Sequence, residues 1–359
     1  MENLTIDKTD VQALKKAWEE IQAAQPNVRI RNAAQELGVS EAELLATEVG
    51  PTCIRLDATP ERSWPDFLKR LPELGYVMSL TRNDACVLEH KGKFQKVETF
   101  GEGERAMGTV IGPIETRVFF SAWHVGFAHQ MTKGDRTLTS LQIFDKAGEA
   151  ITKIYLQEKS NNDAFLKIVE DYRSDNQEPG QTVEPYSQPT FGDSIDKPAF
   201  LQEWSELKDT HDFFGMLKRH NVHRYKALEI ANGTFSYPIS TDNLQQVLET
   251  AASTKLPIMI FAGNRGNLQI QQGKVKTIRL LESQEKWLNV LDPEFNMHLK
   301  LEASQTAWVV RKPTSEGNVT SIEVFDAGKN MIAQFFGLRK PGIPELEAWK
   351  QLVDSLPKL

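Results

Sequence analysis

The sequence has few of the features that mark exported, membrane-spanning or nucleic-acid-binding proteins. Its 359 residues include two cysteines, Cys53 and Cys86, too few for a disulfide framework and without the C-x-x-C spacing of a zinc or redox site. No stretch approaches the roughly 20 apolar residues that cross a bilayer, and the N-terminus lacks the apolar region of a signal peptide. The net charge of -7 provides no cationic field for phosphate backbones or anionic lipids. We therefore expect a cytoplasmic protein without membrane insertion or a nucleic-acid partner.

Motifs of the common enzyme classes are also absent. The seven histidines do not follow the H-E-x-x-H spacing, and no G-x-S-x-G nucleophile elbow occurs. Two glycine-rich stretches, at 101–108 and 263–266, fit neither the dinucleotide-binding pattern nor the P-loop pattern, so we predict tight turns beside strands. With 40% hydrophobic and 25% charged residues, the composition is that of a globular protein with a substantial core.

Two distant segments carry the same order of features. TSLQIFDKAGEAITKIYL begins at 139 and TSIEVFDAGKNMIAQFFG begins at 320, an offset of 181 residues, and both are typical of a hairpin. Three further matches follow in the same order, the last of them looser: 88–99 with 270–280, 111–113 with 291–293, and 31–39 with 224–233. This indicates an α+β fold with an internal duplication, each unit having N-terminal helices followed by an antiparallel sheet.

A segment between the two repeats is rich in Pro, Gly, Ser, Asp and Gln. It covers residues 174–198 and has few core-forming side chains, which is typical of a linker. We therefore predict an N-terminal repeat over 1–173 and a C-terminal repeat over 199–359. A linker of this length lets two repeats pack face to face and leave a cleft between them, where ligands commonly bind.

Three histidines in the second repeat are candidate ligands. His220 and His223 lie three apart on a predicted helix, but the basic residues around them favour a solvated face over a metal site. His211 instead falls in an apolar stripe of a helix predicted over 199–218, together with Phe200, Trp204, Leu207, Phe214 and Leu217. Two interpretations are open for His211: a core or interface histidine bonded to a backbone carbonyl, or an imidazole offered to a haem iron in an apolar cavity.

An arginine is predicted on an aromatic strand face in the first repeat. Alternation along IETRVFFSAW places Arg117 with Phe119, Ser121 and Trp123. The guanidinium either stacks on the aromatic rings or pairs with a carboxylate at the sheet edge, or it steadies an anion, a water or a bound oxygen species in a cavity.

Long runs of the sequence resemble a known family. KDTHDFFGMLKRHNVHRYKAL at 208–228, FAGNRGNLQIQQGKVKTI at 261–278 and IEVFDAGKNMIAQFFGLRKPG at 322–342 closely resemble bacterial haemin-degrading and haem-trafficking proteins of the HemS/ChuS/HmuS type. TRVFFSAWHVGFA at 116–128 carries the resemblance into the first repeat. It covers nearly the whole chain, so the duplication is also the family's own.

The resemblance implies a site as well as a fold. It implies stacked sheets with a haem of the b type held in a cleft against the C-terminal repeat. By this match His211 is the proximal iron ligand, Arg117 is the distal arginine, and Arg224 lies near a propionate. Phe261 would contact the macrocycle, and Arg339 would be a further cation beside the haem. The repeat alignment sets Met297 opposite Arg117 and offers no counterpart of His211, which implies one haem site per chain.

Two functions follow from the resemblance. An enzyme would accept electrons from a reductase, use Arg117 as a catalytic residue that polarises oxygen at the open iron position, and open the haem ring to free iron. A chaperone would instead take haem from an inner-membrane importer and deliver it to a separate haem oxygenase, with His220 and His223 as transient ligands. Of these two functions we favour degradation, because haem storage alone does not require a distal arginine. A third reading is a duplicated interaction domain without a cofactor.

Overall fold

The computed structural model consists of two compact units. It describes residues 10–192, 195–282, 285–340 and 342–359. The first unit contains the chain up to Thr81 together with His90–Ser187 and Asn264–Leu268, and the remaining residues form the second unit. No helix among the described residues is long and apolar enough to cross a membrane.

The first unit begins with three helices and continues into antiparallel sheet. Its helices are α1 (Val11–Ala24), α2 (Ile30–Leu37), α3 (Glu41–Ala46), α4 (Trp64–Arg70) and α5 (Asn162–Tyr172). Its strands are β1 (Cys53–Leu56), β2 (Gly75–Arg82), β4 (Val97–Phe100), β5 (Met107–Val110), β6 (Thr116–Phe119), β7 (Val125–Lys133), β8 (Arg136–Phe144) and β9 (Ala150–Ser160), while β3 (Cys86–Gly92) has residues in both units. The strand order is β1-β7-β8-β9-β2 in one block and β4-β5-β6 in another.

The second unit repeats this order of elements. Its helices are α6 (Lys197–Ser205), α7 (Asp212–Arg219), α8 (Arg224–Ile230), α9 (Asn243–Thr254) and α10 (Glu347–Asp354). Its strands are β10 (Ser236–Ile239), β11 (Ile258–Gly263), β13 (Ile278–Glu282), β14 (Lys286–Leu291), β15 (Phe295–Lys300), β16 (Thr306–Thr314), β17 (Gly317–Phe325) and β18 (Met331–Gly337), and β12 (Asn267–Gly273) is divided between the units. The blocks are β10-β16-β17-β18-β11 and β13-β14-β15.

Strand registers confirm the internal duplication. Val125 faces Phe144 in the β7–β8 hairpin, and Thr306 faces Phe325 in the β16–β17 hairpin, so both strands keep the offset of 181 residues. A β-bulge comes directly before Phe144 in one repeat and directly before Phe325 in the other. Bulges persist within related structures because they re-aim a strand. The α+β class predicted from the sequence is therefore confirmed, with helices preceding an antiparallel sheet in each unit.

One of the sequence matches between the repeats is wrong. Residues 31–39 hold α2 and its C-terminal cap, whereas residues 224–233 hold α8. In the order of elements α2 corresponds to α7, and both helices have eight residues. The helical sequences have diverged because a helix needs only an apolar stripe, which many sequences provide.

Three helices cover one face of the sheet in the second unit. A buried aromatic cluster joins α6, α7 and α8 to β16 and β17, and the ring of Trp204 lies 4.7 Å from that of Phe213. Trp204 Nε1 donates to the carbonyl of Arg311 on β16 at 3.0 Å, so the indole is buried with its polar group satisfied. This packing positions α7, whose first residues carry the candidate site.

The first part of the predicted linker packs on the first unit. Arg55 Nη2 donates to the carbonyl of Glu178 at 2.9 Å, and Gln177 Nε2 donates to the carbonyl of Arg55 at 2.9 Å. The Gly180 N–H bonds to the carbonyl of Ala46 at 2.9 Å. Residues 174–187 therefore have defined hydrogen bonds along the unit that they follow. The predicted boundaries at 173/174 and 198/199 stay a prediction.

Candidate functional site

The prediction of one continuous helix over 199–218 is wrong. Helix α6 ends at Ser205 and α7 begins at Asp212. In the connection, Asp209 Oδ1 accepts the backbone N–H of His211 at 2.8 Å, and the N–H of Asp209 donates to Asp212 Oδ2 at 3.1 Å. Such bonds between side chain and backbone compete with helical hydrogen bonds. The chain therefore turns here, and α7 starts afresh.

The break removes His211 from the apolar stripe in which it was predicted. Four members of that stripe are buried as expected: Phe200, Trp204, Leu207 and Leu217. Phe214 is 61% exposed, however, and the side chain of His211 is 93% exposed. The interpretation of His211 as a core histidine is therefore wrong, because its imidazole lies outside the core, while the interpretation as an interface histidine stays a prediction.

The exposed imidazole is held on one side by a carboxylate. His211 Nδ1 lies 2.5 Å from Asp209 Oδ1. Hydrogen bonds from the backbone and the ring of His211 lower the pKa of Asp209, so it is ionised at neutral pH and acts only as an acceptor. A neutral ring therefore carries its proton on Nδ1 and leaves the lone pair of Nε2 for an external partner. Nε2 has no hydrogen-bond partner among the described residues.

A cation and an aromatic ring flank this turn. Arg339 Nη1 donates to Thr210 Oγ1 at 3.4 Å, and its charge contributes to the lowered pKa of Asp209. Phe214, one turn after His211, has Lys218 Nζ 4.8 Å from its ring centroid. Phe214 lies on the first turn of α7, three residues after His211, and its ring is exposed.

The end of β18 links this turn to an aromatic pair on the sheet. Phe261 on β11 and Phe336 on β18 are half-buried, and their ring centroids are 5.1 Å apart with an interplanar angle of 64°. Arg339 lies three residues after Phe336, beyond the end of β18. Arg339, which contacts Thr210, therefore follows the aromatic pair closely in the chain.

Arg224 lies in a buried ion cluster. Its Nε and Nη2 donate to Glu323 Oε2 and Oε1 at 2.7 and 2.6 Å, a two-pronged pair. Lys312 Nζ also donates to Glu323 Oε1 at 2.8 Å, and the carboxylate is fully buried. Two of the five N–H donors of Arg224 are therefore engaged by Glu323. The predicted bond to a propionate stays a prediction and would use the others.

The cluster has two cations, Arg224 and Lys312, and one anion, Glu323, so its net charge is positive. Arg224 and Lys312 hold the pKa of Glu323 far below its usual value despite its burial. Burial lowers the pKa of Lys312 to about 8, against the attraction of Glu323. Both cations also lie over the ring of Phe213, at 5.0 and 4.7 Å from its centroid. The cluster therefore anchors α7 through Phe213, two residues after His211.

Arg117 lies in the first unit on a shorter strand than predicted. It shares the half-buried face of β6 with Phe119, but β6 ends there and a turn of 3-10 helix follows at 120–122. This turn sends Trp123 into the core, where its Nε1 donates to the carbonyl of Gly266 at 3.1 Å. The prediction that Trp123 shares the face of Arg117 is therefore wrong.

The guanidinium of Arg117 is bound to its own strand. Nη2 lies 3.0 Å from Glu115 Oε1, and Nη1 donates to the carbonyl of Thr116 at 3.2 Å. The side chain is 31% exposed. One predicted alternative, a pair with a carboxylate, is thus present, with the partner two residues away. A role of Arg117 toward a ligand stays a prediction.

His220 and His223 do not share a helix as predicted. His220 is the C-terminal cap of α7 and His223 is the N-terminal cap of α8. His220 Nε2 lies 2.7 Å from Glu203 Oε2, while His223 Nδ1 accepts the backbone N–H of Tyr225 at 3.2 Å. Burial lowers the pKa of His223, which favours its neutral form. Each ring has a structural partner, and the two lie on opposite sides of a turn.

The other repeat has no imidazole at the position of His211. The residue that precedes α2 is Arg29, as His211 precedes α7, and Arg29 makes no capping bond with its side chain. In the registers, Thr109 faces Arg117 in β5–β6 and Val290 faces Met297 in β14–β15. Met297 is fully buried, whereas Arg117 lies on the half-buried face of β6, so these registers do not establish the predicted equivalence of Arg117 and Met297, which stays a prediction.

Sequence reasoning missed Asp209 and misplaced Phe214. Both follow from one signal, the spacing D-T-H-D at 209–212. An acidic residue followed three positions later by another acceptor is typical of a helix start. This signal predicts that the first helix ends before Asp209 and that His211 and Phe214 lie at the exposed start of a second helix.

These observations describe a duplicated α+β protein in which a carboxylate orients an exposed imidazole, on a turn that is also contacted by Arg339. A model of the haemin-degrading HemS/ChuX domain matches the sequence twice, over residues 38–172 and 221–356. The chain belongs to this HemS/ChuX family.

Relatives of known name match over almost the whole chain. The hemin transport protein HmuS of Yersinia pestis is 30% identical over 347 residues, which cover 96% of this chain and 97% of HmuS. Among solved structures, holo-PhuS, a heme-binding protein from Pseudomonas aeruginosa, is 39% identical with a TM-score of 0.91 and covers 97% of this chain and 99% of PhuS. The E. coli heme oxygenase ChuS is 30% identical with a TM-score of 0.83 and covers 96% of this chain and 99% of ChuS. The family predicted from the sequence is therefore confirmed.

Proposed function

We propose that this chain binds haem through His211 and opens the haem ring oxidatively to release iron. The observation that carries the proposal is the open Nε2 of His211, on a ring that Asp209 holds at Nδ1 by a 2.5 Å hydrogen bond. Neutral imidazole is a common ligand of haem iron. In metal sites, a histidine ligand usually donates one ring N–H to a carboxylate, a carbonyl or a water and binds the metal through its other nitrogen.

The surroundings of His211 suit the rest of the haem molecule. Haem is a broad apolar plate that carries two carboxylates, so it needs aromatic or aliphatic contacts on its faces and cations at its edge. The exposed ring of Phe214 and the half-buried pair of Phe261 and Phe336 offer the first. Arg339, beside Thr210, offers a cation for a propionate, and Arg224 retains N–H donors for the other.

Degradation needs more than binding. The iron must be reduced and oxygen must bind at its open side, so we assign to Arg117 the role of a cation that polarises oxygen there. Its own partner, Glu115, fixes the direction of the guanidinium. Electrons would come from a partner reductase, and haem would come from an inner-membrane importer. The relative named as a heme oxygenase supports this reading.

A second function is favoured by the exposure of the ligand. At 93% exposed, His211 is open to an approaching partner protein, as a haem chaperone requires for transfer to a separate haem oxygenase. The relatives named as hemin transport and heme-binding proteins support this alternative. In both functions the predicted site is cytoplasmic and holds one haem per chain.

One experiment separates the two functions. Haem-loaded protein is mixed with a reductant in air, with catalase present to remove free peroxide, and the Soret band is followed over time. Degradation predicts that the band decays in the presence of catalase and decays more slowly in Arg117→Ala. A band that persists, or that is lost only without catalase, rejects degradation and leaves the chaperone.

Two controls belong to this experiment. Arg105→Ala removes an exposed arginine of the same unit and should leave the decay unchanged. His211→Ala should lose haem on a desalting column. If wild-type protein itself stays colourless after mixing with haemin and desalting, haem binding is rejected altogether.

A further inference from the structure

We propose that Asp209 is a positioning residue for His211: its carboxylate selects the ring tautomer that leaves Nε2 free and strengthens the bond from Nε2 to haem iron. The inference rests on the proposed haem binding and names a residue that neither the sequence reasoning nor the family assignment identifies. It follows from the contacts of one turn in the second unit.

Asp209 is bonded to His211 twice. The same oxygen, Oδ1, accepts from the backbone N–H of His211 at 2.8 Å and lies 2.5 Å from Nδ1 of its ring. One carboxylate oxygen thus holds both the backbone and the imidazole ring of His211. The ring needs this restraint, because with 93% of its side chain exposed it has little packing of its own.

Asp209 is itself held in place by hydrogen bonds within the turn. Its N–H donates to Asp212 Oδ2 at 3.1 Å, and its carbonyl accepts the N–H of Asp212 at 3.1 Å. From the other side, Arg339 Nη1 reaches Thr210 Oγ1, the residue between Asp209 and His211. The turn is therefore braced at Thr210 and Asp212, which gives the carboxylate a defined direction.

A carboxylate beside Nδ1 changes the chemistry of the imidazole. Free imidazole in water exchanges its proton between the two nitrogens, and an acceptor on one nitrogen decides which nitrogen keeps it. A carboxylate on Nδ1 also pushes electron density toward Nε2 and raises the basicity of the ligand. Loss of such a partner typically weakens metal binding by about 10- to 100-fold.

The test compares Asp209→Asn with two other variants. Asparagine keeps an oxygen for the backbone bond, so the turn is retained while the charge is lost. Asp212→Asn is the matched control, since asparagine keeps an oxygen for the N–H of Asp209 and Asp212 makes no bond to the ring of His211. His211→Ala reports on the ligand itself.

Two readouts are measured, the first without haem. Nitrogen-15 NMR of the ring in haem-free protein should show the proton mainly on Nδ1 of His211 in wild type and Asp212→Asn, and a shift toward Nε2 in Asp209→Asn. In the haem-loaded ferrous protein, resonance Raman should give a lower iron–histidine stretching frequency in Asp209→Asn. Its haem should also dissociate about 10- to 100-fold faster.

The outcomes distinguish the two proposals. If Asp209→Asn keeps the wild-type tautomer, stretching frequency and dissociation rate while His211→Ala loses haem, the role of Asp209 is rejected and His211 stands as ligand. If His211→Ala keeps the wild-type haem spectrum, the assignment of His211 as ligand is rejected, and the NMR experiment still decides what Asp209 does to the ring.

Discussion

Arg224 and Glu323 form a two-pronged ion pair, with N–O distances of 2.7 and 2.6 Å, beneath the helix that carries His211. Lys312 binds the same carboxylate at 2.8 Å. A fully buried carboxylate between two cations is stable only because each partner compensates the desolvation of the other. The buried face of α7 therefore depends on charge as well as on apolar packing.

Replacing Glu323 with Gln should destabilise the protein strongly. Arg224 would keep its charge without its counter-ion, and Lys312 would lose the attraction that opposes the effect of burial on its pKa. Removing one partner of a buried ion cluster typically costs about 3–5 kcal/mol of unfolding free energy. Urea denaturation of both proteins at pH 7 measures the difference. Glu20→Gln, at an exposed and distant ion pair on α1, is the control and should change the free energy by less than about 0.5 kcal/mol. Similar losses for the two variants would contradict the role of the cluster.

The buried cluster should make the stability of the protein depend on pH through Lys312. Lys312 has a folded-state pKa of about 8, below that of a lysine in the unfolded chain. Between these values the unfolded chain binds more protons, so the contribution of Lys312 to stability rises as pH increases above about 8.

The test of this dependence is Lys312→Met, which keeps the length of the side chain and removes its charge. At pH 7 the variant should be as stable as wild type or more stable, by on the order of 1–3 kcal/mol. The advantage should shrink at pH 9.5, where wild-type Lys312 is neutral in the fold. Urea midpoints of both proteins at the two pH values measure this. An advantage that stays constant would show that Lys312 does not titrate in this range.

The duplication and the strands could be predicted from the sequence, since hairpins impose local patterns. Alternation and the turn at Asp and Gly survive in both repeats, so the 181-residue offset was visible and the registers agree with it. The helices were harder to align because α2 and α7 share only their length and position. An apolar stripe allows many sequences, so sequence similarity is lost before structure changes.

Candidate site residues could be named from the sequence, but the local structure around His211 could not be predicted. A period of 3.6 extends through Leu207, His211 and Phe214 as if one helix were present, and periodicity alone does not reveal a break between two helices. The break is caused by Asp209, whose side chain replaces helical hydrogen bonds. Likewise, the partner of Arg224 is Glu323 on β17, which lies 99 residues later in the chain, and no local pattern indicates such a pair.

Two glycines in the second unit should respond to alanine in opposite ways. A Cβ at Gly337 would lie 2.7 Å from Cβ of Trp349, close to the backbone of α10, so Gly337→Ala forces β18 and the helix apart. Such overpacking costs about 1–3 kcal/mol. In α7, a Cβ at Gly215 meets only the flexible end of Arg219, and Gly215→Ala should stabilise the protein by about 0.5–1 kcal/mol. Thermal unfolding of both variants tests this, and equal signs would refute the assigned packing.

His211→Ala should separate haem binding from stability. The side chain is 93% exposed and makes no capping bond to α7, so its loss should change the unfolding free energy by less than about 0.5 kcal/mol. Haem retention after desalting should nevertheless be lost, because His220 is bonded to Glu203 and cannot replace it without breaking that pair. His220→Ala is the matched control and should retain haem. A His211→Ala protein that keeps a histidine-ligated spectrum would instead show that a neighbouring histidine takes over the iron.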